Sequence, residues 1–246
     1  MKYYKAMNKD FTCRDFQYEI GGVYELPKDT VLALGLNGFH FCDILANCFQ
    51  HYIKDDCIIC EIEPLGNIIY DDYNNKLVTD RIKIVRQLSD EEIEKEQFII
   101  QDGIEMIGND CFAYCTSLKK INIPNSVTCI NDGAFWCCNN LKEINIPDSV
   151  TYIGKDAFYD CESLEKITIS NNIRYIGLDV FYNCTSLKSI TILNAFNYID
   201  EFAFYGCKNL EKIYVPNNFD IKIFDTYMLD DNIKLLDQVE IVRIEK

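Results

Sequence analysis

The sequence predicts an α+β chain: a small strand-rich N-terminal domain over residues 1–92, then a capped solenoid of short repeats over 93–246. Three observations carry this. A 23-residue pattern recurs five times between Ile104 and Asn218 without insertion or deletion. The residues before it lack that period and read as short apolar stretches divided by turn signals. After Asn218 the period decays into mixed stretches that suit an exit cap over 219–246.

In the N-terminal region, Phe16–Ile20 alternates and Gly21-Gly22 stands before Val23–Leu26, which predicts a hairpin. Val31–Leu36 is apolar and ends at Asn37-Gly38. Ile44, Leu45, Cys48, Phe49 and Tyr52 fall on one helical face, with Asp43 placed as N-cap. Cys57–Ile62, Asn67–Tyr70 and Lys83–Val85 read as strands, with a polar turn at residues 71–76. Ser89 with Glu92 is a capping pattern opening a charged helix. Phe98 and Ile100 lie one period before Ile121 and Ile123 and fit a truncated first unit that caps the solenoid.

In the repeat, Ile107, Phe112, Cys115, Leu118 and Ile121 recur in phase as far as Ile199, Phe204, Cys207, Leu210 and Ile213. A single unit is too small to bury its own apolar face, so stacked units must share one core. The L-x-x-I-x-I segment alternates, which sends Ile121 and Ile123 inward and Lys120 and Asn122 outward. Phe and Cys, three apart, have helical spacing. Val127 and Ile130 supply a second extended stretch. Pro124, Pro147 and Pro216 end strands by removing a donor. Gly108, Gly154 and Gly177 suit tight bends.

The motif I-G-x-x-A-F-x-x-C-x-x-L-x-x-I-x-I-P-x-S-V resembles the BspA-type leucine-rich repeat over residues 98–218. The resemblance implies a curved right-handed solenoid with a parallel sheet along one face. It also implies protein binding as the usual role of such a surface, and no catalytic residue.

Function would then sit on the outward columns. On the sheet face these are Lys120, Glu143, Lys166, Ser189 and Lys212, beside Asn122, Asn145, Thr168, Thr191 and Tyr214. Opposite lie Ala113, Trp136, Tyr159, Tyr182 and Tyr205, and a second column of Met106, Cys129, Tyr152, Tyr175 and Tyr198. Tyr and Trp are enriched at binding hot spots, and the bland alternative is that they shield the core. Trp136 is the only tryptophan.

Lys5–Arg14, the Phe16–Gly21 stretch and Gly38-Phe39-His40 resemble a small domain of unknown function found in phage and bacterial proteins ahead of repeat tails. That resemblance suggests a phage or prophage setting, with a host or defence-system protein as partner. The order of Tyr-Lys, Gly-x-x-Tyr and Gly-Phe-His-Phe-Cys is also similar to ADP-ribosyltransferases. Under that alternative Lys5, Gly38, His40 and Cys42 would mark an NAD site. However, Lys5 stands where that family has His or Arg, and the Glu it places near the last strand is missing.

Formal net charge is −15, which disfavours binding to a phosphate backbone. The N-terminus leads into polar residues and no apolar run reaches membrane-spanning length, so the expectation is a soluble cytoplasmic chain. Five of the thirteen cysteines share one repeat phase and read as buried free thiols in a reducing compartment. Cys57 and Cys60 form a C-x-x-C inside an apolar strand-like run, which is structural in character. His40 and His51 are the only histidines and lack ligand spacing, so neither a metal nor a cofactor is expected. The sequence therefore supports a non-enzymatic protein-binding chain, with NAD-dependent transfer and structural self-assembly as alternatives.

Overall fold

The computed structural model describes residues 1–13, 16–28, 30, 32, 39–50, 57–71, 76–96, 98–173, 175–193, 199–200, 202–224, 228–230 and 233–244. Gly38, His51, Tyr198, nearly all of the predicted 31–36 stretch and the turn at 72–75 lie outside them. The chain is strand-rich with few helices and divides into two units, Met1–Gln101 and Asp102–Lys246.

The first unit contains β1 (Tyr3–Asn8), β2 (Thr12–Cys13), β3 (Phe16–Gln17), β4 (Val23–Glu25), β5 (Phe39–Phe41), β6 (Cys57–Pro64), β7 (Ile68–Asp71), β8 (Lys76–Thr79) and β9 (Arg81–Gln87). An antiparallel sheet has the order β1-β6-β9-β4, and a smaller one the order β5-β8-β7. Tyr4 and Cys42 exchange both backbone bonds, at 2.7 and 2.8 Å, which ties β1 to the end of β5. Tyr4, Lys5, Ala6 and Met7 are all buried, so β1 is covered on both faces.

The hairpin expected around Gly21-Gly22 does not form. β3 pairs with β2, and β4 pairs with β9. Gly21 does turn, with a φ of 81°. However, its amide donates to Ile84 O, and Ile84 N donates to Gly22 O. The turn thus delivers the chain to a strand whose Ile82 and Ile84 are fully buried. Burial there outweighs the short local loop.

The helix expected from Asp43 is a 3₁₀ helix, Leu45–Gln50. Ile44, Leu45, Ala46 and Cys48 are all buried, including positions that a single amphipathic stripe would leave outside. Asp43 does not cap it, because its carboxylate accepts from its own amide and that of Ile44. The capping pattern at Ser89 does form and opens α1 (Asp90–Glu96). Ser89 N donates to Glu92 Oε2 at 2.9 Å, and Glu92 N donates to Ser89 Oγ at 3.3 Å. The Ser89 amide and hydroxyl, both donating to this carboxylate, and the Arg86 guanidinium pull the Glu92 carboxyl down to about 2.

In the second unit, β10 (Met106–Ile107), β12 (Cys129–Ile130), β14 (Tyr152–Ile153) and β16 (Tyr175–Ile176) form one parallel sheet. A longer parallel sheet joins β11 (Lys120–Asn122), β13 (Glu143–Asn145), β15 (Lys166–Ile169), β17 (Ser189–Ile192), β18 (Lys212–Pro216) and β21 (Glu240–Ile244). Sequence-equivalent residues pair throughout: Ile121 with Ile144, Ile144 with Ile167, Ile167 with Ile190. The last step is longer and sets Lys212 against Glu240. β19 (Met228–Asp230), β20 (Ile233–Lys234) and α2 (Leu235–Gln238) lie within that step.

Between the sheets run the buried columns. Phe112, Phe135, Phe158, Phe181 and Phe204 stack at centroid spacings of 5.3, 5.3, 5.7 and 6.1 Å. The thiols of Cys138, Cys161, Cys184 and Cys207 donate to the carbonyls of Phe112, Phe135, Phe158 and Phe181 at 3.1–3.2 Å. Gly154 and Gly177 are not left-handed bends. A Cβ on Gly177 would sit 2.5 Å from the Gly154 carbonyl carbon, so these glycines permit one coil to rest on the next.

The Phe–Cys segment is not helical. It is a run of tight turns closed by bonds such as Ala113 N to Asp110 O and Cys115 N to Phe112 O. Two positions of the coil are left-handed: Asp110, Gly133, Asp156 and Asp179 at one, and Tyr114, Cys137, Asp160, Asn183 and Gly206 at the other. Their reversals turn alternate amides toward the neighbouring coil. Phe112 N donates to Ala134 O, and Phe135 N donates to Ala157 O. The segment is therefore a third hydrogen-bonded layer. The missed signal was the Asp, Asn and Gly preference at those two positions, since these residues tolerate positive φ.

A test follows from that backbone. Asp156→Val, β-branched at a φ of 55°, is expected to cost about 1–2 kcal/mol in urea unfolding, whereas Asp156→Asn stays near wild type. Equal stability of the two variants would contradict the strain argument.

Candidate functional site

The turn layer carries its aromatic side chains outward. Tyr114 lies 5.2 Å from Trp136, Trp136 lies 6.2 Å from Tyr159, Tyr159 4.8 Å from Tyr182, and Tyr182 5.1 Å from Tyr205. Trp136, Tyr159, Tyr182 and Tyr205 are each half-buried, so the rings rest on the coil and still meet solvent. Two members were not legible in the sequence. Ala113 occupies the column position, and the neighbouring Tyr114, 60% exposed at a φ of 59°, extends the row instead. Phe202, 41% exposed, sits 6.3 Å from Tyr205 where other coils carry Asp or Gly.

Tyr159 and Tyr182 are parallel within 1°, and Tyr182 and Tyr205 within 18°. The row therefore presents ring edges and hydroxyls, with its flat faces covered by neighbours. Trp136 breaks it, standing at 89° to Tyr159. The indole Nε1 is buried and has no hydrogen-bond acceptor among the described residues. An unsatisfied buried N–H is costly.

Carboxylates border the rings. Burial, together with the carboxylates of Asp160, Asp179 and Asp156, holds the Tyr159 phenol above its ordinary value. Cys137 Sγ lies 3.8 Å from Asp160 Oδ2. Burial raises the Asp110, Asp156 and Asp179 carboxyls, and carboxylates of other coils add to it. Lys155 is the one cation paired into this border among the described residues, 3.6 Å from Asp156.

The sheet face is less available. Lys120 is bonded to Glu143 at 2.6 Å, and Lys212 pairs with Glu240 at 3.2 Å. Lys166 is exposed with no ion pair among the described residues, and it edges a trough of about 450 Å³ with Asn122, Asn145 and Thr168. In the second aromatic column Met106, Cys129 and Tyr152 are half-buried on their short strands, and Tyr175 continues that sheet. Tyr198 is outside the described residues.

In the first unit, the structure brings Lys5, His40 and Cys42 together around a buried amine. Lys5 is 5% exposed, its Nζ donates to the His40 carbonyl at 2.9 Å, and it lies 5.7 Å from the Tyr18 ring centre. Burial lowers its pKa, while the neighbouring thiols of Cys13, Cys48 and Cys42 act the other way. The amine thus faces inward. Among the described residues no group of three or more His, Cys, Asp or Glu could hold a metal ion. No helix of the described residues is long and apolar enough to cross a membrane.

Residues 105–236 match the BspA type leucine rich repeat region in six copies, and residues 1–96 match a domain of unknown function, DUF7666. No curated protein matches the chain. It is similar to a solved leucine-rich repeat protein from Bacteroides ovatus, at 26% identity and TM-score 0.45, over 60% of this chain and 38% of that one. It is also similar to the T. pallidum leucine rich repeat protein, at 27% identity and TM-score 0.45, over 59% and 69% of the two chains. The pneumococcal vaccine antigen PcpA matches at 28% identity and TM-score 0.43, over 59% and 34%. The chain thus spans well under half of the Bacteroides and pneumococcal proteins. With the repeat accounting for more than half of its residues, the protein belongs to the BspA-type leucine-rich repeat family.

Proposed function

We propose that this chain is a non-enzymatic protein-binding module that engages its partner through the aromatic row on the turn layer. Leucine-rich repeats generally mediate protein–protein interaction. The observation that carries the specific reading is the continuous run Tyr114, Trp136, Tyr159, Tyr182 and Tyr205, each ring beside the next and partly open to solvent. Such a row offers large contact area at small entropic cost, because each ring is already held by its neighbours. The sheet face, whose lysines are mostly neutralised by adjacent glutamates, is the secondary surface.

In this reading the chain is α+β, with an α/β domain of unknown function over residues 1–92 and a capped solenoid over 93–246. The protein works in the cytoplasm with its cysteines as thiols, in a phage or prophage setting, against a host or defence-system protein. The acidic composition and the burial of the repeat cysteines support it.

The test is affinity capture with the intact chain, comparing wild type with Trp136→Ala plus Tyr159→Ala. The double variant is expected to lose its specific partner, with affinity weakened at least about 30-fold for two central aromatic anchors. A variant that stays folded and captures everything the wild type captures removes the aromatic face from the proposal.

A further inference from the structure

Asp110, Asp156, Asp179 and Asp160 occupy left-handed turn positions, and that backbone demand explains a small polar residue at each. It does not explain a charge. Gly133, Asn183 and Gly206 meet the same demand elsewhere in the repeat without one. Stacking like charges on successive coils costs free energy, and among the described residues Lys155 alone pairs into this border to offset it. The carboxylates flank the rings closely enough that Asp156, Asp160 and Asp179 all act on the Tyr159 phenol. Row and border together combine apolar ring edges, hydroxyl acceptors and excess negative charge along one line.

We infer that the aromatic row and its bordering carboxylates form a docking track for an arginine-rich segment of a protein partner. This rests on the proposed binding role of the aromatic row and adds the chemistry of what is bound. Charge complementarity selects a basic segment. A guanidinium is planar and weakly hydrated, suits fork-like pairing with carboxylates, and stacks on ring systems. Trp136, turned edge-on to Tyr159, opens the regular stack where one such group would lie against an indole.

The experiment measures binding of a fluorescent oligo-arginine peptide to the intact protein, with oligo-glutamate and a neutral Gly-Ser peptide for comparison. The triple variant Asp156→Asn, Asp160→Asn, Asp179→Asn removes three charges and keeps residues that accept positive φ. A control triple, Asp102→Asn, Glu105→Gln, Asp148→Asn, removes the same charge at exposed positions away from the rings. The expected result is saturable, salt-sensitive oligo-arginine binding that the first triple weakens about tenfold and the control leaves within about twofold. Equal weakening by both triples assigns the binding to net charge and overturns the inference. Absence of wild-type binding also overturns it, as does unchanged binding in the first triple. The aromatic reading is judged separately by the Trp136/Tyr159 capture, so failure of the arginine chemistry is told apart from failure of the row itself. Unfolding curves of both triples exclude a loss that comes from misfolding.

Discussion

Phe158→Ala is expected to cost about 3–5 kcal/mol of unfolding free energy, the largest single-residue loss in the repeat. Phe158 is fully buried and stacked 5.3 Å from Phe135 and 5.7 Å from Phe181, nearly parallel to both. Its carbonyl also accepts from the thiol of Cys184 on the next coil, at 3.2 Å. The ring lies at the middle of a stack in which each coil contacts only its neighbours, and the close coil-to-coil backbone leaves little room for collapse into the cavity. In a quasi-one-dimensional array that loss falls on two interfaces at once. Phe112→Ala, at the first coil, is expected to cost less, since its one stacked ring among the described residues is Phe135. Urea unfolding followed by the fluorescence of Trp136, which sits on the adjacent coil 6.2 Å from Tyr159, measures both. A Phe158→Ala midpoint equal to that of Phe112→Ala would count against nearest-neighbour control of stability.

Asp43→Asn is expected to stabilise the first unit, and to do so only above mildly acidic pH. Burial raises the Asp43 carboxyl from 3.8 to about 6, while bonds from its own amide and that of Ile44 pull the other way. The folded chain therefore holds this proton to higher pH than the unfolded chain does. Its favourable contribution is full below the unfolded value and is lost as pH rises through about 6. Asparagine keeps an acceptor for the two amides and never ionises. The two proteins should match near the unfolded pKa and diverge toward neutrality, by up to about 3 kcal/mol at pH 7. Thermal melts across that range decide it, and parallel curves would refute the assignment. The Gln101 Nε2 bond to the Asp43 backbone carbonyl, 3.0 Å, does not depend on the side chain.

Most of the repeat was legible because its information is local and periodic. Ile121, Ile144, Ile167 and Ile190 recur in phase, and the structure pairs them in that phase. The outward aromatic residues of the 136-to-205 column likewise meet as the spacing requires. The Phe–Cys segment was misread as helical because three-residue spacing is shared by a helix and by successive tight turns. The distinguishing feature, positive φ at Asp160 or Asn183, is set by the backbone and only hinted at by residue type. Tyr114 escaped for the same reason: its ring reaches the row from a different column through a left-handed residue.

The N-terminal unit was less legible because its decisive contacts are long-range. Nothing near Val23 announces that it will pair with Lys83, or that Lys5 will bury its amine against the carbonyl of His40. By itself the sequence determined the period, the inward columns of Ile, Phe, Cys and Leu, and the aromatic character of the outer columns, since these follow from which residues repeat. Only the tertiary structure decided strand partners, the third hydrogen-bonded layer and the rotation of Trp136 against its stack. Those depend on which amide meets which carbonyl across coils, and that pairing is settled when distant segments compete for the same buried hydrogen bonds.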